Sequence, residues 1–434
     1  MSNSHHYTER EIRTIALAVI TGVFFGGVAT GVAFPTLPLL DDHLAISAVT
    51  LSVILSANRI ARLVMNTPAG AIVDRLGARW PMICGLFTQA AAPFGYIIGL
   101  GAPTTMLALP GGATISIPGV VFVLARLFWG IGSAFVFIGA FATISHVTTS
   151  QNRGRWISYM RGGQSLGFPT GLVVGGVVAD LFDIQTAFLV AGVLALAAGV
   201  TAAMVLPDVH RGGADESVTL RSLPGLLARQ PIVLAVGVGN FSVRFLWGGI
   251  ILSTMARFAS DHAIRLGSFE AAGISGLVMA VGVLCSGSAT LATGKLSDRI
   301  GNRSILTVPA FCSMAAGFVV LAVGRSVEPL LGAIVCIGLG MGVVAPSLLA
   351  ILGDLTPGDE LGRMGGIYNG MGDVGLSLGP LVAVPAVDLW FGYRNTYLLC
   401  AMLLCGCLLV VSVPLFCRTT ASGSNATVST DGDD

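Results

Sequence analysis

The chain has 434 residues, of which 54% are hydrophobic and only 10% are charged, and its mean hydropathy is +0.85. Soluble domains carry about 25% charged residues, so this chain cannot cover its surface with polar groups in water. Its 23 basic and 22 acidic residues leave a net charge of +1, which excludes the basic surface of a nucleic-acid-binding protein. The composition indicates a protein whose partner is the lipid bilayer.

Apolar runs long enough to cross a bilayer, about 20 residues each, recur between charged or Pro/Gly-rich breaks. Twelve such spans are predicted, at residues 13–38, 47–72, 81–102, 118–148, 157–180, 185–207, 231–257, 270–294, 304–324, 330–353, 364–389 and 395–417. The longest polar break divides them six and six. We therefore predict an N-terminal six-helix bundle over 1–207, a cytoplasmic linker over 208–230, a C-terminal six-helix bundle over 231–417 and a disordered cytoplasmic tail over 418–434.

The basic residues of the predicted loops set the orientation of the spans. With the N-terminus in the cytoplasm, all loop arginines and the single lysine face inward except Arg265, Arg325 and Arg394. The positive-inside rule thus predicts a multi-pass protein with both termini in the cytoplasm. An arginine-rich composition with one lysine is typical of a GC-rich bacterial genome, which favours a bacterial cytoplasmic (inner) membrane.

The eight cysteines lie in or beside apolar runs, and none forms a Cys-x-x-Cys pair. We interpret them as packing residues and expect neither a disulfide framework nor a metal site. No phosphate-binding run of the type G-x-x-x-x-G-K-[ST] occurs, so no cofactor is expected and direct use of ATP is excluded.

Two sequence patterns occur once in each half at matching places. The run GAIVDRLGAR, after the second span, returns as GKLSDRIGNR after the eighth span. The residues that recur at constant spacing are Gly70, Asp74, Arg75, Gly77 and Arg79 in the first half and Gly294, Asp298, Arg299, Gly301 and Arg303 in the second. Glycines of the fifth span recur in the eleventh in the same way. These repeats predict a duplicated six-helix unit.

At these residues the chain resembles the major facilitator superfamily, whose signature after the second helix ends in Asp-Arg-x-Gly-x-Arg. Leu124, Arg126, Gly130 and Gly132 fit the fourth-helix motif of that family, and the run FPTLP at 34–38 looks like its drug:proton antiporter branch. The resemblance implies an all-α integral membrane fold of twelve transmembrane helices in two pseudosymmetric six-helix bundles. It also implies secondary active transport by alternating access, and no enzymatic activity.

The resemblance assigns a conformational gating role to the ten repeated residues of the two loop motifs. It implies that Asp74 lies near the start of the eleventh helix, close to residue 364, where the helix dipole attracts an anion. Loss of that contact would accompany inward opening. The arginines of both motifs have an alternative role as topology anchors.

Closely spaced glycines in the fifth and eleventh spans are predicted to pack helices against each other. The antiporter motif of the fifth helix is interrupted here, because Phe168 stands between Pro169 and Gly167, which follows Gly163 by four residues. The eleventh span carries an intact version. Its residues are Gly375, Gly379 and Pro380. Glycine contacts of this kind either pack rigidly or let two bundles rock around a central site.

Polar residues follow helical spacing in two spans and predict two stripes that face a cavity instead of lipid. The second span contributes Ser56, Arg59 and Arg62, and the seventh contributes Asn240, Arg244 and Trp247. We predict that these six residues bind substrate. A cavity with this excess of arginine favours anionic, zwitterionic or amphipathic solutes, and the first span has no acidic residue between 12 and 40 that would favour cations.

Asp373 is the acidic residue placed deepest in a span and is the candidate proton carrier. The alternative is a structural ion pair with Arg59 or Arg62. The resemblance gives Arg126 a part in proton coupling, by biasing a nearby carboxylate; its alternative role is structural.

These residues favour a transporter that works as a monomer and moves a small organic molecule by proton-coupled efflux. Uptake of an organic anion by proton symport or uniport is the alternative. A non-transporting membrane sensor and an intramembrane hydrolase are remote alternatives. The hydrolase would use Ser377 in the run GLSLG, but all six histidines lie in loops, tails or a helix end, too far from the bilayer centre to act as its base.

Overall fold

The computed structural model describes residues 7–40, 44–108, 114–149, 151–207, 231–297, 304–355 and 361–426. Its helices are α1 (Glu9–Thr36), α2 (Ala48–Leu76), α3 (Arg79–Leu100), α4 (Ile117–Val147), α5 (Arg153–Leu181), α6 (Ile184–Val205), α7 (Pro231–Arg244), α8 (Leu252–Asp261), α9 (Ala271–Ser297), α10 (Ser304–Val323), α11 (Val327–Leu355), α12 (Leu361–Pro385) and α13 (Gly392–Ala426). The π-helical segment Phe245–Ile251 joins α7 to α8, and a second one, Ala386–Phe391, joins α12 to α13.

Ten helical stretches in the described part of the chain are long and apolar enough to cross a membrane. The last of these, Met364–Val411, contains two successive helices, α12 and α13. The 29-residue α5 is long enough to cross but is more polar, with Arg153, Arg155 and Arg161 near its start. With α5 and both helices of the last stretch included, the described helices are consistent with the twelve predicted spans.

Local sequence signals set where several helices begin and end. The Thr8 side chain accepts a hydrogen bond from the Glu11 backbone N–H, and the Glu11 carboxylate accepts one from the Thr8 backbone N–H, a capping box at the start of α1. At the starts of α2 and α6, the side-chain oxygens of Ser47 and Asp183 each accept a hydrogen bond from a backbone N–H group of the first turn. Gly77 ends α2 with a φ of 80°, a conformation that favours glycine.

A short antiparallel hairpin, β1 (Met106–Ala108) and β2 (Thr114–Ser116), connects α3 to α4. The amino-acid pattern gives no signal for this hairpin. Its strands have three residues each, too short for an alternating pattern to stand out from the flanking spans.

The chain forms two compact units. Unit 1 comprises Met1–Ser217, Leu252–Ala280 and Pro380–Asp388, and unit 2 comprises Val218–Ile251, Val281–Gly379 and Leu389–Asp434. Unit 1 therefore holds all of α8 and parts of α9 and α12, which the predicted division assigns to the second bundle with everything else from 231 to 417. The predicted linker over 208–230 lies outside the described residues.

Unit 1 has a buried core built from α1, α3, α4 and α6. The Tyr96 ring packs against the rings of Phe122 and Phe188, with centroid distances of 5.9 Å and 5.0 Å respectively. Unit 2 has its own core, in which Phe318 of α10 packs near Tyr397 of α13. Large aromatic side chains that are at most 2% exposed fill both interiors, and each such side chain buries substantial apolar area.

The helices α1 and α5 run parallel, and glycines let their backbones contact each other. A Cβ added at Gly163 would meet Ile20, and one added at Gly167 or Gly171 would collide with a backbone carbonyl of α1. In unit 2, Gly375 faces the Phe241 carbonyl of α7 and Gly379 lies against Gly249. The glycine pattern of the fifth and eleventh spans therefore packs helices in both halves, as the repeat predicts.

The last helix is longer than the sequence predicts. It continues to Ala426, so residues 418–426 are helical where a disordered tail was expected. Because no proline follows Pro414, nothing in this stretch removes a backbone donor and the helical hydrogen bonds continue. The rest of the predicted tail lies outside the described residues.

Candidate functional site

A polar cluster lies inside unit 2 where α7 meets α12. The Arg244 Nη1 atom is 3.5 Å from Asp373 Oδ1, and Arg244 Nε donates to Asn240 Oδ1 at 3.3 Å. Asn240, which is 1% exposed, donates from Nδ2 to the Tyr368 backbone carbonyl at 2.7 Å. Asn240 thus anchors Arg244 to α12, and Arg244 in turn faces the Asp373 carboxylate.

The Arg244–Asp373 pair is only partly shielded, because the two side chains are 38% and 22% exposed. A pair that retains contact with solvent loses less from desolvation than a fully buried one. Such a pair can open when the carboxylate gains a proton or the arginine gains another anion. Asp373 therefore has a partner from its own half of the sequence, Arg244, and the structural alternative of a pair with Arg59 or Arg62 stays a prediction.

The π-helical segment begins directly after Arg244 and is absent from the sequence-based prediction. Segments of this kind are rare and often occur at functional sites. This one carries Trp247, which is 6% exposed and packs against Gly282 of α9. In this conformation Trp247 and Asn240 are buried, so of the predicted binding residues of the seventh span Arg244 is the one that is partly exposed.

In unit 1 an arginine is fully buried. Arg126 of α4 is 0% exposed, and none of its three guanidinium nitrogens has a hydrogen-bond partner among the described residues. The guanidinium lies 5.5 Å from the ring centre of Phe34 and 5.9 Å from that of Tyr96. Aromatic faces stabilise a cation, but by less than a desolvated charge needs. Arg126 is therefore a buried charge held among aromatic rings, and its part in proton coupling stays a prediction.

The polar stripe of α2 lies close to the same aromatic ring. Arg59 is partly buried with its guanidinium carbon 5.3 Å from the Phe34 ring centre, and Arg62 follows one turn later, also partly buried. Phe34, which belongs to the FPTLP run, thus has arginines from α2 and α4 near its ring. Ser56 is completely buried, and its Oγ has no hydrogen-bond partner among the described residues. In this conformation Arg59 and Arg62 are the partly exposed members of the stripe, and their role in substrate binding stays a prediction.

The loop motifs are described in the first half and only at Gly294 in the second, because Asp298, Arg299, Gly301 and Arg303 lie outside the described residues. Asp74 and Arg75 lie in the last turn of α2, before Gly77. The predicted contact of Asp74 with the start of the eleventh span stays a prediction.

The other motif arginine of the first half, Arg79, has a structural contact. It lies at the start of α3 and donates from Nη2 to the Ala203 carbonyl of α6 at 3.3 Å. This bond ties α3 to the end of α6 and shows that Arg79 does more than anchor the topology.

At the end of unit 1 remote from the N-terminus, α5 and α9 are joined. Gly176 faces the Ala272 carbonyl, and Asp180 Oδ2 accepts hydrogen bonds from the backbone N–H groups of Glu270 (2.6 Å) and Gly273 (2.8 Å). The Asp180 carboxylate thereby satisfies donors at the first turn of α9. It links a helix of the first sequence half to one of the second.

An ion pair between Arg257 of α8 and Asp388 lies in the same unit, with both side chains less than 20% exposed. Asp388 belongs to the second π-helical segment. This pair links α8 to the second π-helical segment, and the Asp180 cap links α5 to α9. We name this set of contacts, formed by Asp180, Glu270, Gly273, Arg257 and Asp388, the outer seal.

A sequence profile of the Major Facilitator Superfamily matches residues 19–287 and 246–430, which is most of the chain. The chain belongs to the major facilitator superfamily. It is 24% identical over 392 residues to Multidrug resistance protein 2 of Bacillus subtilis, covering 88% of this chain and 91% of that one. It is 25% identical over 385 residues to the multi-drug resistance efflux pump PmrA of Streptococcus pneumoniae, with coverages of 87% and 90%.

The fold is also that of solved transporters. The nucleoside transporter NupG superposes with a TM-score of 0.71 over 93% of this chain and 99% of that one, at 15% identity. The major facilitator fold, the multi-pass membrane location and the role as a secondary transporter of small molecules are thereby confirmed. The chain is not an enzyme, and Ser377 is explained structurally: it is 4% exposed, and its Oγ donates to the Asp373 backbone carbonyl at 2.8 Å.

For this superfamily member, sequence reasoning missed the outer seal and the Tyr368 backbone contact. Asp180 and Asp388 lie near the ends of predicted spans, where a charge needs no special explanation. Gly176 and Gly273 are small residues near the ends of spans, and such residues often mark a close contact between helices. The sequence does not show that α5 and α9 are neighbours, so these glycines alone do not identify the contact.

We expect Asp180→Ala to expose the first turn of α9. Hydrogen bonds to a carboxylate contribute about 1.5–3 kcal/mol, so amide exchange at 270–273 should become about tenfold faster or more. Hydrogen–deuterium exchange measured by mass spectrometry checks this. Asp183→Ala is the matched control, because Asp183 caps α6 through Thr186, and faster exchange there should be confined to the start of α6. Unchanged exchange at 270–273 in Asp180→Ala would contradict the capping role.

Proposed function

We propose that this transporter exports small amphipathic organic molecules, anionic or zwitterionic ones above all, in exchange for protons. The observation that carries the proposal is the partly exposed Arg244–Asp373 pair between α7 and α12. An acidic side chain within a span is costly unless it faces a wet cavity or has a partner, and such residues mark proton pathways.

The exchange follows from competition between the proton and the solute for Asp373. The solute binds with its anionic group at Arg244 and with a positive or hydrogen-bond-donating group at the ionised Asp373 carboxylate, and protonation of Asp373 removes that charge. Binding of the solute and protonation of Asp373 therefore disfavour each other. For efflux, the solute that binds from the cytoplasm displaces a proton there, and a proton that binds from the outer side displaces the solute, so the conformational change carries one or the other across.

The charge balance of the polar residues supports the choice of solute. Arg59, Arg62 and Arg244 are partly exposed, Arg126 is buried, and Asp373 is the acid that lies deepest in the predicted spans. This excess of positive charge attracts anions and repels simple cations. The names of the two multidrug relatives support export of organic molecules in general.

The outer seal supports alternating access. Its contacts hold helices of both sequence halves together at one end of unit 1, as an access gate must in its closed state. With the termini in the cytoplasm of a bacterium, this end faces outward.

We further propose that the functional unit is a monomer, because each chain carries both six-helix halves.

Accumulation of fluorescent solutes in a bacterium lacking its own efflux pumps tests the proposal. Cells that produce the protein should retain less of an anionic or zwitterionic dye than cells with an empty vector, and a protonophore should remove the difference. Arg244→Gln should behave like the empty vector, whereas Arg265→Gln, an exposed arginine paired with Glu270, should export like the wild type. Higher dye uptake in producing cells would overturn export in favour of uptake, and a difference that survives the protonophore would overturn proton coupling.

A further inference from the structure

Two phenylalanines share a partly exposed face with Arg244, where α7 meets the first π-helical segment. The partly exposed residues of the run 241–247 are Phe241, Arg244 and Phe245. Residues three or four apart lie on one face of a helix, so Phe241 is next to both Arg244 and Phe245. The other four residues of the run are buried: Ser242, Val243, Leu246 and Trp247.

The rings of Phe241 and Phe245 form a stack, which we name the aromatic platform. Their centroids are 5.7 Å apart and their planes differ by 15°, an offset-stacked arrangement that aromatic pairs favour. The Phe241 ring also lies against α12, because a Cβ added at Gly375 would be 3.1 Å from Phe241 Cδ2. A phenylalanine has only two rotatable side-chain bonds, and this ring is already in contact on two sides. Binding of a ligand to it therefore costs little conformational freedom.

The space beside the aromatic platform is not filled by lipid. The side chains of the Arg244–Asp373 pair are 38% and 22% exposed, and charged groups exposed to hydrocarbon are costly. Their exposed sides therefore face water or a solute. A molecule that enters this space meets flat apolar rings next to a guanidinium and a carboxylate. Ligand sites commonly combine such features, with aromatic walls for affinity and a few polar groups that fix the orientation.

We propose that Phe241 and Phe245 are specificity-determining residues, which select a solute with a planar aromatic ring system and an anionic group that binds Arg244. This assignment rests on the proposed function, because it takes Arg244 as the residue that binds the anion, and it adds the shape of the apolar part. A flat ring extends the stack, whereas a saturated ring of the same size has no π face. Aromatic faces also attract cations, but Arg244 repels them, so aromatic anions are favoured over aromatic cations.

Binding of two matched compounds to the full-length purified protein tests the proposal. One is a hydroxynaphthalenesulfonate, which is planar and whose hydroxyl group can donate to Asp373. The other is its fully hydrogenated counterpart, which keeps the carbon skeleton, the sulfonate and the hydroxyl group. Isothermal titration calorimetry measures both dissociation constants. The wild type should bind the planar compound about fivefold more tightly, the contribution of about one aromatic pair. Equal dissociation constants would overturn the proposal.

Substitutions of the aromatic platform separate recognition from packing. Phe241→Leu and Phe245→Leu should each weaken binding of the planar compound about fivefold and leave binding of the hydrogenated compound unchanged. Phe241→Tyr retains a ring and should retain the preference. Phe391→Leu is the matched control, because Phe391 is 49% exposed but belongs to the second π-helical segment, where it packs with Trp390. Equal weakening of both compounds in the two leucine variants would contradict the proposal, since the rings would then only pack helices.

A third compound tests the charge of the solute. A naphthalene ring that carries a trimethylammonium group should bind more weakly than the sulfonate, and equal or tighter binding would overturn the selection of anions. These measurements need no pH gradient, so their outcome does not depend on proton coupling. Proton movement evoked by the sulfonate in proteoliposomes tests the proposed function separately. Its absence with a protein that retains the preference would overturn the exchange and still support the aromatic platform.

Discussion

Asp373→Asn is expected to abolish transport driven by a pH gradient while leaving downhill exchange of the solute intact. Asparagine keeps the size of the side chain and a hydrogen-bond acceptor for Arg244, but it has no proton to carry. Proteoliposomes separate the two activities: gradient-driven flux should fall to the level of protein-free liposomes, and solute counterflow should continue. Asp183→Asn, at an exposed carboxylate that caps α6, should leave both unchanged.

A double variant distinguishes proton carriage from a structural ion pair. Removing one partner of a shielded pair destabilises a protein because the other charge stays behind, and replacing both relieves that cost. If Asp373 serves only to neutralise Arg244, then Arg244→Gln combined with Asp373→Asn should recover gradient-driven transport. We expect the double variant to recover thermal stability but not gradient-driven transport. Recovery of both would remove Asp373 from the coupling mechanism.

Gly171→Val is expected to be among the most destabilising single changes in unit 1. A Cβ at Gly171 collides with the Val28 backbone carbonyl, and α1 cannot move away because it also packs against α6. Overpacking of this kind costs about 1–3 kcal/mol or more, and we expect a fall in Tm of about 5 °C or more, with loss of transport.

Gly162→Val in the same helix is the matched control for this prediction. Its Cβ meets open space, so the only change is the helix propensity of valine relative to glycine, which is small and favourable. Thermal unfolding in the same detergent should give a Tm close to that of the wild type. A Gly171→Val protein that unfolds together with this control would show that α1 and α5 are not in backbone contact.

The helical spans and their duplication could be predicted from the sequence because both depend on local composition. Twenty apolar residues form a helix wherever no water is available to the backbone, and the repeated glycines retain their spacing in α5 and α12. The packing role of Gly167 and Gly375 followed from spacing alone. The close approach of Gly249 to Gly379 involves the π-helical segment, which the sequence does not mark.

Partners across helices could not be predicted in the same way. Helical periodicity shows that Asp373 and Arg244 face away from lipid, but it does not show which helices are neighbours. For this reason the sequence suggested Arg59 or Arg62 of α2 as the alternative partner of Asp373 and did not indicate Arg244 of α7, whose Nη1 lies 3.5 Å from the Asp373 carboxylate. Asp180 was overlooked because its role depends on the backbone of α9, and backbone donors leave no trace in the sequence.

The burial of single side chains was equally hard to predict. Ser56, Asn240 and Trp247 lie on polar stripes, yet all three are less than 10% exposed in this conformation. Their burial depends on packing at the level of single side chains, for example of Trp247 against Gly282, and this detail lies beyond an amphipathic pattern.

Proton movement evoked by solute addition is the most direct measurement of the proposed exchange. Wild-type protein is placed in proteoliposomes with an imposed pH gradient and a pH-sensitive dye, and anionic, zwitterionic and cationic compounds are added in turn. Exchange through the Arg244–Asp373 pair predicts proton release on addition of anionic or zwitterionic compounds, and none with the Asp373→Asn protein. Measurable solute flux without any proton movement would contradict it and identify the protein as a uniporter.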